Sequence, residues 1–241
     1  MIILYSFIIL LAIALGLTGL QILKIREGVR KLSYHNKPFL LPNPQATLKF
    51  LFVGDSTALG TGAVDNKHSV AGWFGADFPL SDIKNVSANG KRLIDLVHDF
   101  PPYPGEHYDL VVVQIGANDI FKFSRFEDIE EQMTTVIQRA KTIASHVVIL
   151  HSGNAGLAPI FIWPFDWIMT DRARHMRALY MRKAKEEGVL YVDLFTERGN
   201  DLFLKDIDKY YSADHLHPSG WGYRWWYERI RQTLDQAGVR L

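Results

Sequence analysis

Apolar residues beyond position 47 fall into five short runs that alternate with longer stretches of helical spacing. The runs lie at 48–53, 83–87, 110–116, 146–151 and 189–194. Runs such as LVVVQIG, in which successive positions are apolar, are typical of parallel strands covered on both faces. The helical patterns lie at 69–77, 91–99, 126–144, 166–187 and 219–237. This alternation predicts a three-layer α/β/α sandwich around a mainly parallel five-stranded sheet.

A separate apolar segment, Met1 to Leu23, precedes these elements and carries no charged side chain. As a helix it would be roughly 34 Å long, enough to cross a hydrocarbon core of about 30 Å. We therefore expect a single-pass transmembrane anchor at 1–23, a juxtamembrane linker at 24–46 and a folded domain at 47–241. Pro42 and Pro44 are typical of such a linker.

The charges around this segment bear on its orientation. Cationic residues follow it within 24–31, and none precedes it, so the positive-inside rule places the domain in the cytoplasm. A cleaved signal peptide is the alternative interpretation. The segment lacks the basic start and the clear A-x-A-like cleavage site that a signal peptide would have.

Composition and charge exclude several classes of function. Hydrophobic residues make up 48% of the chain and charged residues 22%, as in globular proteins. The formal net charge of +1 argues against a dedicated nucleic-acid-binding protein. Because the chain has no cysteine, disulfides, thiolate nucleophiles and cysteine-based metal centres are excluded.

Short polar segments follow the first three runs, and a fourth precedes the final helical pattern. They are GDS at 54–56, ANG at 88–90, GAND at 116–119 and DHLHPSG at 214–220. Ligands of open parallel sheets bind beyond the carboxyl ends of the strands, so we expect these segments to converge on one edge. Together they supply the serine, histidine, acid and hydrogen-bond donors that acyl transfer by a serine requires.

The spacing indicates a role for each polar residue. A serine at a strand–helix junction presents its Oγ and N–H at a helix N-terminus, so Ser56 is the candidate nucleophile, although GDS alone also fits a helix-capping serine. Asp214 lies three residues before His217, which lets the carboxylate reach Nδ1 and leaves Nε2 free as the base. Asn118 is a neutral double donor suited to an oxyanion. Asp55 is expected to satisfy backbone donors of its own loop.

Two other histidines fall near the expected site. His215 is next to Asp214 and should point another way, toward the rim or into packing. His151 follows the fourth run but lacks metal-ligand spacing, and we expect a rim or core residue. We therefore expect neither a metal nor a cofactor.

The four segments, in this order, resemble the sequence blocks of the SGNH hydrolases, also called GDSL-type esterases and lipases. GDS resembles the nucleophile block, NVSANG the second, IGAND the third and DHLHPSGWGY the last, over about residues 48–238, with GDST in place of GDSL. The resemblance implies a flavodoxin-like fold and a serine hydrolase with a Ser56–His217–Asp214 triad. It also implies an oxyanion hole formed by Ser56, Gly90 and Asn118.

An aromatic loop, AGLAPIFIWPFDWIM at 155–169, follows the fourth run. It fits either core packing or an apolar lid in which Phe161 and Trp163 contact substrate. Together with the predicted anchor, the loop favours an apolar acyl ester or lipid ester as substrate. A carbohydrate O-deacetylase is the alternative enzyme, with sugar-stacking aromatics from GWGYRWWY at 220–227. A non-catalytic membrane-bound scaffold is the third possibility, which the complete set of site residues disfavours.

Overall fold

The computed structural model describes residues 37–100 and 105–241, together with the isolated positions Tyr5, Ser6, Gly16, Gly19, Leu20, Leu23 and Glu27. Apart from those positions, the predicted anchor at 1–23 and the first part of the predicted linker, 24–36, lie outside the described residues. Within the described residues, no helix has the length and hydrophobicity needed to cross a membrane.

Parallel strands form one sheet in the described part of the chain. The strands are β1 (Lys49–Gly54), β2 (Asp82–Asn85), β3 (Tyr108–Gln114), β4 (Ala144–Leu150) and β5 (Leu190–Tyr191). Their order is β2-β1-β3-β4-β5, which confirms the predicted five-stranded parallel sheet. β5 is shorter than the run at 189–194. The ladder between β5 and β4 ends at Tyr191. Two residues later, the Asp193 carboxylate accepts hydrogen bonds from the Phe195 N–H and from Arg177.

Helices cover both faces of this sheet. The α-helices of the described residues are α1 (Ser56–Leu59), α2 (Val70–Asp77), α3 (Leu93–Asp99), α4 (Ala117–Phe121), α5 (Phe126–Ile143), α6 (Phe165–Glu187), α7 (Leu202–Lys205), α8 (Ile207–Tyr210) and α9 (Gly220–Gln236). Helices α3, α5 and α6 pack on one face, and α2 and α9 pack on the other. The molecule is therefore a three-layer α/β/α sandwich, as the sequence predicts.

The strands are apolar on successive positions because each face of the sheet contributes to a separate core. In β1, Leu51 and Val53 pack toward α5 and α6, whereas Phe50 and Phe52 pack toward α2 and α9. One stripe of α5 completes the first core, with buried residues at helical spacing: Ile129, Met133, Val136, Ile137 and Ala140.

Part of the predicted linker packs against the domain. Phe39 lies against Gly75 in α2, and Leu41 forms an antiparallel bridge with Ile83 of β2 through backbone hydrogen bonds of 3.1 and 2.9 Å. This segment covers β2, an edge strand whose backbone groups would otherwise be open to other chains. The packed part of the chain therefore includes residues before position 47.

The strand order creates a crevice between β1 and β3. The chain leaves β1 toward the face that carries α2, and it leaves β3 toward the face that carries α5. Ligand sites of open parallel sheets lie at such a point, outside the carboxyl ends of the strands. At the end of β1, a Cβ on Gly54 would lie 1.8 Å from the Gln114 carbonyl oxygen, so only glycine allows the two strands to approach this closely.

Candidate active site

Ser56 is the first residue of α1 and follows β1 after the single residue Asp55. Asp55 caps the helix, because its Oδ1 accepts hydrogen bonds from the Thr57 N–H (2.9 Å) and Oγ1 (2.7 Å). This is the local role expected from the sequence. Burial raises the pKa of Asp55 to about 6, although the hydrogen bonds from Thr57 and the charge of His217 act in the opposite direction.

Two hydrogen-bond contacts link Ser56, through His217, to Asp214 in the C-terminal part of the sequence. The Ser56 Oγ lies 2.9 Å from Nε2 of His217, and Nδ1 of the same ring lies 2.6 Å from Oδ2 of Asp214. All three residues are buried. The carboxylate favours a proton on Nδ1, which leaves Nε2 as the acceptor that faces the serine hydroxyl. The structure thus brings together the three residues predicted as a triad.

Asp214 is held in place by three further donors. Its Oδ1 accepts hydrogen bonds from the Ser212 hydroxyl (2.6 Å) and from the N–H groups of Leu216 and His217 (2.9 Å each). Burial raises the pKa of Asp214, but the hydrogen bonds and charge of His217 and the Ser212 hydroxyl outweigh it and lower the pKa to about 2. The carboxylate is therefore ionised at neutral pH.

The loop that carries His217 packs on the loop that follows α1. Gly62 has a φ of 100°, and a Cβ at this position would lie 2.5 Å from the Pro218 carbonyl oxygen and 2.9 Å from the His217 Cβ. A larger residue would therefore be strained and would push the two loops apart. On the other side, the Ser212 N–H donates to the His217 carbonyl oxygen at 2.8 Å. These contacts fix the distance between Ser56 and His217.

The predicted oxyanion-hole residues lie on the same cavity as Ser56. Gly90 follows β2, and Asn118 lies in the first turn of α4; both residues line the cavity. The Asn118 Nδ2 donates to the Lys91 carbonyl oxygen at 3.0 Å. Because an amide nitrogen carries two hydrogens, this contact orients the side chain and leaves a second N–H to donate.

Asp119, the residue after Asn118, fixes α4 against α3. Its Oδ2 accepts from the Leu93 N–H at 3.0 Å and its Oδ1 from the Ser124 hydroxyl at 2.9 Å. Burial raises the pKa of this carboxyl. Asp119 therefore positions the neighbouring amide and is not itself on the cavity wall.

The cavity has a volume of about 630 Å³ and contains Ser56, Gly90, Asn118 and His217 in its wall. Most of the other large side chains that line it are apolar: Phe121, Phe123, Phe161, Phe165, Met169, Leu194, Phe203, Tyr211, Leu216, Trp225 and Trp226. Lys122 and Asp201 are the lysine and the acidic residue among the side chains of the wall. The site therefore joins a small polar cluster to a large apolar surface.

The structure separates the remaining sequence candidates. Phe161 lines the cavity and packs on Phe121 with ring centroids 5.4 Å apart. Trp163 is not among the lining residues and is 80% exposed.

His215 is exposed, with a φ of 56°. His151 is buried with its Nε2 3.0 Å from the Tyr191 hydroxyl, and burial lowers its pKa to about 4, so it is a neutral core residue. Among the described residues, no group of acids and histidines forms a metal site.

Sequence reasoning missed several residues of the site. Ser212 holds Asp214, and its position two residues before the acid is the signal that could have identified it. Phe121 and Phe203 form part of the apolar wall, but their sequence surroundings resemble those of any helix-packing phenylalanine. Trp225 and Trp226, noted in the sequence only as possible sugar-stacking residues, also line the cavity.

Comparisons with known proteins identify the family. The model of the GDSL-like lipase/acylhydrolase family matches residues 52–225. No curated protein matches the chain.

Several solved structures share the fold at low sequence identity. A lipolytic G-D-S-L family protein from Veillonella parvula has a TM-score of 0.61 and 16% identity, with 79% of this chain and 100% of that chain covered. An α/β hydrolase, LAE5, from the metagenome of Lake Arreo has a TM-score of 0.60 and 19% identity, covering 80% and 96%. A variant of Axe2, an acetylxylan esterase from Geobacillus stearothermophilus, has a TM-score of 0.58 and 20% identity, covering 78% and 94%.

The family match spans well over half of the chain and includes every residue of the cavity wall except Trp226. The chain therefore belongs to the GDSL-like lipase/acylhydrolase family and is a hydrolase with the SGNH fold.

Proposed function

We propose that this hydrolase cleaves carboxylic esters with apolar acyl groups through an acyl-enzyme formed on Ser56. The observation that carries the proposal is the line of contacts from Asp214 through His217 to Ser56, which ends at the wall of an aromatic-lined cavity. A hydroxyl, a base and an orienting carboxylate in this geometry are the minimum for nucleophilic catalysis by serine.

The first half of the reaction forms the acyl-enzyme. His217 Nε2 takes the proton of the Ser56 hydroxyl as Oγ attacks the ester carbonyl carbon, and the ionised Asp214 stabilises the imidazolium. The N–H groups of Ser56 and Gly90 and the Nδ2 of Asn118 receive the oxyanion. As the carbonyl re-forms, the bond to the alcohol oxygen breaks, and His217 returns the proton to that oxygen.

The second half releases the acid. Water gives a proton to His217 Nε2 and attacks the acyl carbon, and the same donors stabilise the second oxyanion. The bond to Ser56 Oγ then breaks, and His217 returns the proton to the serine. The serine proton leaves with the alcohol and a proton from water replaces it, so the cycle restores Ser56 and His217 without a cofactor.

The cavity wall supports an apolar acyl group. Phenylalanine, methionine, leucine and tryptophan side chains make up most of the large residues around the serine, and a hydrocarbon chain against them would be removed from water. The volume of about 630 Å³ exceeds the space that an acetyl group needs.

A fluorophosphonate probe and a graded ester series test the proposal together. The wild-type chain should react covalently with the probe and should hydrolyse soluble esters, and Ser56→Ala should do neither while keeping its circular dichroism spectrum. Longer acyl chains should raise kcat/KM until they exceed the cavity. Labelling that persists in Ser56→Ala would place the nucleophile elsewhere, and an unlabelled wild-type chain would favour a non-catalytic scaffold.

A carbohydrate O-deacetylase is the second candidate. Trp225 and Trp226 line the cavity and provide flat apolar surfaces on which a sugar ring can stack. Axe2, which shares the fold, is described as an acetylxylan esterase. The ester series decides between the candidates, because a deacetylase would prefer acetylated oligosaccharides and would gain nothing from a longer acyl chain.

We also propose that residues 1–23 anchor the enzyme in a membrane, with the domain on the cytoplasmic side. The absence of charge over 23 residues and the cations directly after them support this proposal. Carbonate washing of membranes should leave the full chain in the pellet, and external protease should reach the domain only in inverted vesicles. Release by carbonate would contradict the anchor, and cleavage in right-side-out vesicles would reverse the orientation.

A further inference from the structure

Large apolar side chains are exposed at the carboxyl edge of the sheet, beside the cavity. Four of them form one group, here called the aromatic rim: Phe123, Ile162, Trp163 and Trp167. Phe123 lies in the turn between α4 and α5, and the other three belong to the connection from β4 to α6 and its first turn. All four are more than half exposed, and Trp163 reaches 80%. Such a concentration of apolar surface is typical of an interaction site.

The rim borders the mouth of the cavity. Phe123 is exposed and also lines the cavity. Ile162 and Trp163 come directly after Phe161, which lines the cavity, and Trp167 comes two residues after Phe165, which also lines it. The same short segment therefore presents one set of side chains to the substrate space and another to the surroundings.

The N-terminal segment reaches the domain at this same edge. The Asn66 Nδ2 donates to the Pro38 carbonyl oxygen at 3.4 Å, and Asn66 lies in the connection after β1 and α1, at the carboxyl edge. From there the chain runs antiparallel to β2 through the Leu41–Ile83 bridge. It reaches the opposite edge at Asn43, whose Nδ2 donates to the Leu80 carbonyl oxygen at 2.7 Å. Lys37, where the continuous described chain begins, therefore lies at the catalytic edge.

The covalent length of the chain allows the rim and the anchor to meet one surface. Residues 24–36 can span at most about 45 Å. Most of the rim follows β4, and the segment that contains Leu41 lies outside β2. Four strand spacings of about 4.8 Å separate them, so their lateral separation across the sheet is about 20 Å. A domain tethered in this way presents the rim to the bilayer when its catalytic edge faces the membrane.

We propose that the aromatic rim docks on the surface of the lipid bilayer that holds residues 1–23, so that the cavity opens toward the acyl chains of membrane esters. The proposal rests on the anchor and on the apolar-ester activity proposed above. Tryptophan favours the interface between headgroups and hydrocarbon, and isoleucine and phenylalanine gain from leaving water. Substrate would then reach Ser56 from the membrane without crossing bulk water.

Site-specific fluorescence tests the docking directly, because the chain has no natural cysteine. Ile162→Cys and Leu80→Cys, each labelled with an environment-sensitive fluorophore, are reconstituted as full chains in phosphatidylcholine–phosphatidylglycerol vesicles. Leu80 is the matched control, because it is 78% exposed and precedes β2 at the opposite edge. The label at 162 should be quenched by nitroxide lipids and protected from iodide, and the label at 80 should show the reverse. Equal iodide quenching at both positions, or failure of the full chain to float with the vesicles, would overturn the proposal.

A kinetic measurement separates docking from catalysis. Ile162→Asp should lower hydrolysis of a long-chain ester dissolved in the vesicles by about tenfold, the change expected when burial of roughly half an isoleucine side chain is lost. Hydrolysis of a soluble short ester should stay at the wild-type rate, which also shows that the variant is folded. Leu80→Asp should change neither rate. An unchanged vesicle rate in Ile162→Asp would contradict docking, whereas absent hydrolysis of the soluble ester by the wild-type chain would contradict the proposed activity instead.

Discussion

The two sides of the cavity differ in how their side chains are held. On the polar side, Ser56, Asp214 and His217 are buried, and hydrogen bonds of 2.6 to 2.9 Å connect them. On the apolar side, Phe161 makes a ring contact within the wall, whereas Trp163, two residues later, is exposed. Directional bonds fix the first side to one geometry, and non-directional contacts define the second.

This difference separates the chemistry from the choice of substrate. A buried carboxylate with three donors on one oxygen has one low-energy position, so a single lost donor should affect the reaction for every ester. An apolar wall contributes in proportion to the area it covers, so a lost ring should matter only for substrates that reach it. Substitutions on each side test whether the separation holds.

Among the substitutions that test this separation, Asn118→Ala should have the largest effect. The amide binds charge that exists only in the transition state, so kcat should fall by about 10²–10³, or roughly 3–4 kcal/mol, with a much smaller change in KM. The loss should be the same for short and long acyl esters. Asn43→Ala, at the opposite edge, is the control and should keep full activity. A change confined to KM would place Asn118 in substrate binding and would break the comparison.

Asp55→Asn should stabilise the protein at neutral pH. The pKa of Asp55 is raised to about 6, so between about pH 4 and 6 the folded state holds a proton that the unfolded state has released, and stability falls as pH rises. An asparagine keeps the oxygen that accepts from Thr57 and removes the buried charge. The gain above pH 6 should be on the order of 3 kcal/mol.

Urea unfolding of both proteins from pH 4 to pH 7 measures this effect. The difference in unfolding free energy should be near zero at pH 4, should grow to pH 6 and should then stay constant. A difference that does not change with pH would mean that Asp55 titrates at its ordinary pKa in the folded protein.

The polar side was also the side that the sequence predicts best. Asp214 and His217 meet through a turn of four residues, and Asp55 accepts from Thr57, two residues further along, so short spacings contain most of the geometry. The five-stranded sheet was also predictable, because each strand is marked by a short apolar run of the sequence. The contact between the serine and the histidine spans 161 residues, and it was inferred from the convergence of polar segments at the carboxyl edge of a parallel sheet rather than from spacing.

The apolar side could not be resolved from sequence. Phe161 and Trp163 occur in one aromatic loop, and no local pattern separates a wall residue from an exposed one. Phe161 lies in the wall because it packs on Phe121 of α4, and this tertiary contact joins residues that are 40 positions apart in the sequence. Packing of Phe39 and Leu41 on the edge of the sheet was likewise not visible, because Pro42 and Pro44 indicate a linker.

Ser212→Ala should have an intermediate effect. It removes one of the donors to Asp214 and leaves the two backbone donors, so kcat/KM should fall by about tenfold, in line with a hydrogen bond to a charged group worth about 1.5 kcal/mol. Because that bond helps to lower the pKa of Asp214, its loss should raise this pKa, which an NMR titration of the carboxyl measures. Ser81→Ala, which removes another buried hydroxyl far from the cavity, is the control. A tenfold loss with an unchanged pKa of Asp214 would indicate a structural effect instead.

The most selective effect, and the smallest on acetyl esters, is expected from the apolar side, where Phe161→Ser and Trp163→Ser form a matched pair. Phe161 lines the cavity, so its loss should lower kcat/KM for long soluble acyl esters and leave acetyl esters nearly unchanged. Each methylene that loses its contact costs about 0.8 kcal/mol, roughly fourfold in rate, so the loss should grow with chain length up to the limit of the cavity. Trp163 is exposed, and its substitution should cost much less on the same soluble esters. Rates are measured below the critical micelle concentration of each ester, so that binding of the protein to ester aggregates does not contribute. Equal losses on acetyl and long-chain esters would make Phe161 a packing residue, and equal losses in the two variants would place Trp163 in the acyl site despite its exposure.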